Sequence, residues 1–215
     1  MCGRFETTGK WTWSEIHRAL STYGEIATPP INLEPDEDVR PTTSRLVALL
    51  DETGQWHLER KRWGLVPFWR GGKPIKDTAK GSGDGFKLST FNARTETVAT
   101  AATFRESFKR RRCVVPASSW FEWTGDKGSK TKHRFSRADN GLIWFAGIHD
   151  RCESSDQGVV DSFTILTGPS DGWLADYHDR APVILDECDL GRWVNPDLDP
   201  SELIGAVRPE RFVLT

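Results

Sequence analysis

Apolar and polar positions in this chain follow two periods, and the change from one to the other divides it into elements. Near the start, Trp13, Ile16, Leu20 and Tyr23 fall on one face of a helix predicted over Thr12 to Tyr23, with Gly24 ending it. A Pro-rich, acidic connector follows, from Pro29-Pro30 to Glu34-Pro35-Asp36-Glu37-Asp38. Arg45 to Leu50 and Gln55 to Trp63 then read as two strands around the turn Asp51-Glu52-Thr53-Gly54. A second helix is predicted from Thr97 to Arg111 through Val98, Ala101, Ala102, Phe104 and Phe108, with Lys109 to Arg112 complementing its negative end. From Cys113 the period falls to two, giving strands at Cys113 to Ala117, Trp120 to Thr124, Lys132 to Ser136, Leu142 to Ile148 and Ser162 to Thr167. After Ser170 the chain turns helical and short-looped, with a brief strand Val183 to Leu185 and helices near Glu187 to Val194 and Ser201 to Val207. Many short strands with few helices predict an α+β fold: a mostly antiparallel, barrel-like sheet with a few peripheral helices, in one domain spanning residues 2–215.

Composition adds limits. An apolar content of 37% with ten Trp and eleven Phe among 215 residues supplies a sizeable core. No charged and apolar leader pattern and no membrane-length apolar run occur, so a soluble protein with no membrane partner is expected, cytoplasmic in a bacterium (associated with the nucleoid) or nuclear in a eukaryote. Cys2, Cys113, Cys152 and Cys188 are scattered without a C-x-x-C pair, which argues against a zinc site or disulfide framework; no metal or cofactor is expected. The net charge of −2 conceals an asymmetry: Arg60 to Arg137 holds nineteen Lys and Arg against six Asp and Glu, a local +13 that leaves −15 for the remainder. Such a segment suits a polyanion, although a solvated surface explains it equally. The Gly/Lys-rich stretch from Gly71 to Lys87, with Lys73 and Lys76 beside the aromatics Phe68 and Trp69, fits single-stranded nucleic acid, with bases stacking on rings and lysines following phosphates. The alternative is a core role for Trp63 and Trp69 next to a mobile, solvated loop.

Four groups could carry chemistry. Removal of Met1, expected before a small residue, would leave Cys2 with a free α-amine and a thiol on adjacent carbons, a 1,2-aminothiol. Ordinary pKa values near ~7.7–8.0 and ~8.5 make both partly available at neutral pH. An aldehyde suits them best: the amine forms a Schiff base and the thiolate closes a five-membered thiazolidine. Cys2 in a buried N-terminal strand is the structural alternative. Glu122 shares a strand face with Trp120 and Thr124, and apolar surroundings would raise its pKa toward a proton-shuttling range; a cross-strand Arg would instead pair with it. His178, beside Asp176 and Asp179, is free to act as acid or base unless a backbone group satisfies it. Asn92 and Arg94 flank Ala93 on one strand face, where an amide and a guanidinium could orient a sugar and a phosphate, or Arg94 could pair with Glu96.

Five motifs then fall in one order: Met1-Cys2-Gly3-Arg4-Phe5, Trp63-Gly64-Leu65-Val66-Pro67-x-Trp69, Asn92-Ala93-Arg94-x-Glu96, Cys113-Val114-Val115-Pro116 leading to Phe121-Glu122-Trp123, and His178-Asp179-Arg180-x-Pro182. Together they resemble the SRAP family, the abasic-site processing proteins also called SOS response-associated peptidases, over nearly the whole chain. The resemblance implies a protein that binds single-stranded DNA and joins an abasic site covalently, its N-terminal cysteine forming a thiazolidine with the ring-opened aldehyde. It assigns that role to Cys2, active-site roles to Glu122, His178 and Asn92, and DNA contacts to Arg94 and Trp69; Arg4, Lys73 and Lys76 are further expected DNA contacts. It also implies removal of the first residue by the protein itself and strand cleavage by β-elimination; a monomer without a cofactor is expected. Two departures stand out: Asp38 occupies the place of a usual Asn in the connector, and the chain stops at Thr215 where members commonly continue. A cysteine peptidase acting on other proteins and a non-catalytic single-strand binder are the competing readings; the second makes Cys2 dispensable.

Overall fold

The computed structural model describes residues 2–9, 11–29, 31–75, 90–126, 128–205 and 207–215. In chain order its elements are β1 (Phe5–Thr7), α1 (Trp13–Ser21), β2 (Asp36–Val39), β3 (Ser44–Leu50), β4 (Trp56–Trp63), β5 (Asn92–Arg94), α2 (Arg105–Arg110), β6 (Arg112–Ala117), β7 (Ser119–Thr124) and β8 (Thr131–Arg137). They continue with β9 (Ile143–Ser154), β10 (Gly158–Pro169), β11 (Arg180–Pro182), β12 (Ile184–Leu185), α3 (Leu190–Val194) and β13 (Phe212–Leu214). Among the described residues no helix is long and apolar enough to cross a membrane.

Five strands close on themselves. β3 pairs antiparallel with β4 and β6, β6 with β9 and β9 with β10, while β10 runs parallel to β4 and completes a mixed barrel. Alternation separates its two faces. Ala48, Leu58, Val114, Trp144, Ala146 and Leu166 pack with residues of α1 and α3, which cover the barrel from outside. Val47, Trp63, Cys113, Val115, Phe145, Phe163 and Ile165 form the other set, facing inward, and Cys2 and Phe5 join it. Phe5 sits 5.0 Å from Trp63 and 5.9 Å from Phe145, ring centre to ring centre, so the N-terminal strand docks against the barrel filling. A second, wholly antiparallel sheet in the order β13-β8-β7-β1-β2 carries that strand. The α+β class and mostly antiparallel barrel-like sheet therefore stand as read.

Several boundaries move. The second helix is only six residues long; the segment before it makes separate turns, such as Ala101 N–H to the Thr97 carbonyl, 2.8 Å. Thr95, Thr97, Thr100 and Thr103 are β-branched, and the Thr100 hydroxyl bonds back to the Thr97 carbonyl, so local side-chain bonding competes with a continuous helix. The expected helix at Ser201 to Val207 is a single 3-10 turn, Ser201–Leu203. Conversely, β9 and β10 form a hairpin of two twelve-residue strands, longer than their apolar cores suggest, because the Ser154↔Gly158 end continues the ladder on polar residues. The acidic connector contains β2, and β1 and β13 also lack a pattern of their own; each exists through its partner.

Candidate functional site

The C-terminal end of β10 organises the site. β5 runs parallel to it on one side, with Ile165↔Asn92 and Thr167↔Arg94, and β11 antiparallel to it, with Thr167↔Pro182 and Pro169↔Arg180. The strand bearing Asn92 and the turn bearing His178 thus flank a single ladder. Asn92 is buried while Arg94, two residues on and on the same face, reaches solvent.

Cys2 is fully buried. Its thiol is directed at the Arg4 carbonyl, 3.8 Å away, and its own carbonyl accepts a 2.8 Å hydrogen bond from Asn92 Nδ2. Among the described residues no group donates to Asn92 Oδ1. β1 lies against β7 with Phe5↔Trp120, and the Phe121 N–H donates to the Arg4 carbonyl at 3.0 Å; the same antiparallel register, continued, sets Gly3 abreast of Glu122. Burial pushes the Cys2 thiol far above its ordinary value, and the nearby Glu122 charge adds to that. This corrects the expectation of an untuned, partly ionised thiol: the barrel filling that the sequence does not reveal around Cys2 holds it neutral.

Glu122 is 4% exposed, and burial pushes its carboxyl up to about 7, with Asp179 adding in the same direction. The aromatic strand does what its pattern suggests. Where a cross-strand Arg is the alternative, the partner of Glu122 on β8 is His133. The His133 ring meets Tyr177 edge-on at 4.8 Å, and its Nε2 lies 2.6 Å from the Thr124 hydroxyl. Tyr177 immediately precedes His178, so these packed rings connect the Glu122 strand to the His178 turn.

Half-buried His178 is held below the ordinary imidazole value, chiefly by burial. Its Nδ1 accepts the Arg180 backbone N–H at 2.9 Å, which in the neutral ring places the proton on Nε2; Asp179 stands 2.7 Å from the same nitrogen.

Among the other expected residues, Arg4 pairs with Asp38 and places its guanidinium 5.8 Å from the Trp123 ring centre. Asp38 also accepts Arg40, and the hydrogen bonds from Arg40 and Arg4 hold its carboxyl below the usual range. Asp38, set apart in the sequence as a departure from the pattern, thus anchors Arg4. Trp69 is 44% exposed and Phe68 50%, whereas Trp63 is fully buried: the two tryptophans have separate roles. Trp69 Nε1 donates to the Ala102 carbonyl at 3.1 Å, which fixes the ring's edge. Lys73 is exposed just beyond, and Lys76 and most of the Gly/Lys stretch lie outside the described residues. Arg94 does not take Glu96; that carboxylate binds Arg180 through two hydrogen bonds of 2.7 and 2.9 Å. Sequence reasoning missed His133, which the β7–β8 register sets opposite Glu122, and the Glu96–Arg180 pair, which joins segments far apart in the chain.

Among the described residues one group brings metal-type ligand atoms within 4.8 Å of one another: Asp186, Cys188 and Asp189. Arginines already occupy its carboxylates, Arg211 and Arg208 on Asp186 and Arg192 on Asp189 at 3.0 Å. All four cysteines are free.

Cys2 tucked against the barrel filling, with Asn92 holding its carbonyl, is the setting in which the comparisons with known proteins are read. A crystal structure of a protein from Bacteroides thetaiotaomicron matches with a TM-score of 0.78 over 99% of this chain and 90% of that one, at 23% identity, a likeness of fold. The family described as SOS response associated peptidase (SRAP) matches residues 1–212, and the chain belongs to that family. Its relatives include the abasic site processing protein YoqW of Bacillus subtilis, 30% identical over 97% of this chain and 87% of that protein, and YedK of Escherichia coli, 28% identical over 94% and 83%.

Proposed function

We propose that the chain, once Met1 is removed, binds single-stranded DNA at an abasic site and joins it covalently through Cys2, shielding the site. The observation that carries this reading is the burial of Cys2 beside Glu122, with Asn92 holding the Cys2 carbonyl. As the deoxyribose ring opens to its aldehyde, the Glu122 carboxylate takes the anomeric hydroxyl proton and returns it to the departing ring oxygen, to which the Nε2–H of neutral His178 donates a hydrogen bond. The Cys2 amine adds to that aldehyde, and loss of one water leaves a Schiff base. The thiol then adds to the same carbon. As the C–S bond forms, the thiol proton passes to the Glu122 carboxylate and the imine nitrogen takes up a proton, giving a thiazolidine. A carboxyl near 7 suits this traffic, being an acceptor in one half of its population and a donor in the other. Asn92 Oδ1 supplies an acceptor for a sugar hydroxyl, Arg94, Arg4 and the lysines Lys73 and Lys76 meet phosphates, and Trp69 stacks on a base.

Strand cleavage by β-elimination competes from the same Schiff base, and release of Met1 is the protein's own peptidase event. Action on other proteins is the weaker reading, because one self-processing event accounts for the peptidase in the family's description. One chain supplies every group named, so a monomer suffices, working in whichever compartment holds the DNA.

The test mixes the Met1-free protein with a single-stranded oligonucleotide bearing one abasic site. A denaturant-resistant adduct with the summed mass less one water is expected, and none with Cys2→Ser or with Met1 retained. Salt-sensitive binding without any adduct would leave the plain single-strand binder in its place.

A further inference from the structure

Glu96 lies outside the groups just assigned, yet it reaches the histidine through two bonded steps. Its carboxylate grips the Arg180 guanidinium with two hydrogen bonds, Oε1 to Nη1 at 2.7 Å and Oε2 to Nη2 at 2.9 Å. The same guanidinium donates from Nη2 to the Thr167 carbonyl at 2.5 Å, on the β10 segment that both β5 and β11 flank. Arg180 is buried, and its backbone N–H is the donor to His178 Nδ1. Glu96 itself follows β5 by two residues, so one ion pair ties the strand of Asn92 and Arg94 to the turn of His178. A planar, two-pronged pair fixes direction as well as distance.

We propose that Glu96 is a positioning residue: through Arg180 it holds the His178 ring in the tautomer and orientation that serve covalent capture of the abasic site. The assignment rests on the function proposed above. β10 pairing alone fixes the β11 backbone, but the guanidinium restrains the rotation of residue 180 that aims its N–H at Nδ1. Removing the charge while keeping the shape loosens that aim without touching Cys2, Glu122 or the DNA-facing arginine. Glu96 is half-exposed, so the substitution leaves no buried hole.

The experiment is a double-mutant cycle on the rate of adduct formation, with full-length, Met1-free protein and an abasic single-stranded oligonucleotide at saturating concentration. Glu96→Gln is expected to slow adduct formation about tenfold with oligonucleotide affinity changed less than about twofold, because the interaction serves the reaction and not the ground state. In a His178→Ala background the same change is expected to do nothing further, since a residue acting only through His178 has no route left. Glu96→Asp, which keeps the charge on a shorter stem, should recover part of the rate. Thermal melting of each variant accompanies the rates, so that a general loss of fold is seen as such. Additive effects of Glu96→Gln and His178→Ala, or a Glu96→Gln protein as fast as the parent, would overturn the positioning role while leaving the proposed function standing. Failure of the parent to form an adduct would remove the function itself.

Discussion

Glu122 illustrates how far a single residue can be read from its neighbours in the chain. Its place between Trp120 and Trp123 on a period-two strand is enough to anticipate burial and a raised pKa. The neutral state of Cys2 is not legible in the same way, because the rings beside it (Phe5 excepted) come from strands more than fifty positions away. The raised carboxyl also has a consequence for stability. With a folded pKa of about 7 against an ordinary 4.5, the native state holds a proton that the unfolded chain releases between those values. Stability therefore falls as pH rises through this window, and the cost is fully present above the folded value; the shift is worth on the order of 3 kcal/mol. Glu122→Gln removes the charge. Its melting temperature relative to the parent is expected to rise from pH 4.5 to pH 8, while adduct formation at pH 7 falls by about 100-fold or more. Differential calorimetry across pH measures the first, and a parallel pH course for both proteins would contradict the assigned burial of charge.

At the scale of elements, period two locates β3, β4, β6, β7, β9 and β10 because each carries enough apolar residues to mark a face, and β8, with Phe135 alone, is bounded by the turns around it. β1, β2 and β13, of three or four residues, escape because a strand that short is specified by the edge it joins. Helix α1 is legible down to its cap, with the Thr12 hydroxyl accepting the Glu15 N–H. Gly24 marks the end of that helix in the sequence, and the structure adds a second reason for a glycine there, since a Cβ would overlap the carbonyl oxygen of Gly54, in the β3–β4 turn. The connector after α1 lies directly on that hairpin, as the Trp56 N–H to Glu25 carbonyl bond of 2.7 Å shows. Backbone cannot yield as a flexible side chain does, so Gly24→Ala is expected to cost about 1–3 kcal/mol. In a chain of this size that corresponds to a fall of roughly 2–12 °C in melting temperature. The turn is remote from Cys2 in sequence and bonding, so adduct formation at a permissive temperature should remain at the parent's level. An unchanged melting temperature would mean that the connector moves aside.

Over the whole molecule, the local charge of +13 overstates the surface available to DNA, because folding takes up several of its members. Arg112 is buried, with its guanidinium donating to the backbone carbonyls of Trp193, Asn195, Leu198, Phe108 and Lys109, a cation that secures α2 to α3. Arg111 pairs with Asp150 at 3.2 Å, Arg134 with Glu6, and buried Lys61 with Glu59 at 2.7 Å. Arg94 differs: it is exposed on the site's own strand, and among the described residues it makes no ion pair. Trp69 is exposed too but uncharged. The two residues therefore separate the electrostatic and stacking parts of binding. Each phosphate neutralised on a single strand contributes about −0.7 to the slope of log affinity against log salt, whereas stacking of one base is worth about 1–3 kcal/mol at any salt. Arg94→Ala should make the slope shallower by about 0.7, with its loss of affinity largest at low salt. Trp69→Ala should lower the whole line by a constant amount and leave its slope alone. Measuring both lines by fluorescence anisotropy in a Cys2→Ser background, where no adduct removes DNA from the equilibrium, decides the matter. If Arg94→Ala leaves the slope untouched, the phosphates run elsewhere on the basic segment, and the exposed arginine beside Asn92 is not part of the strand's path.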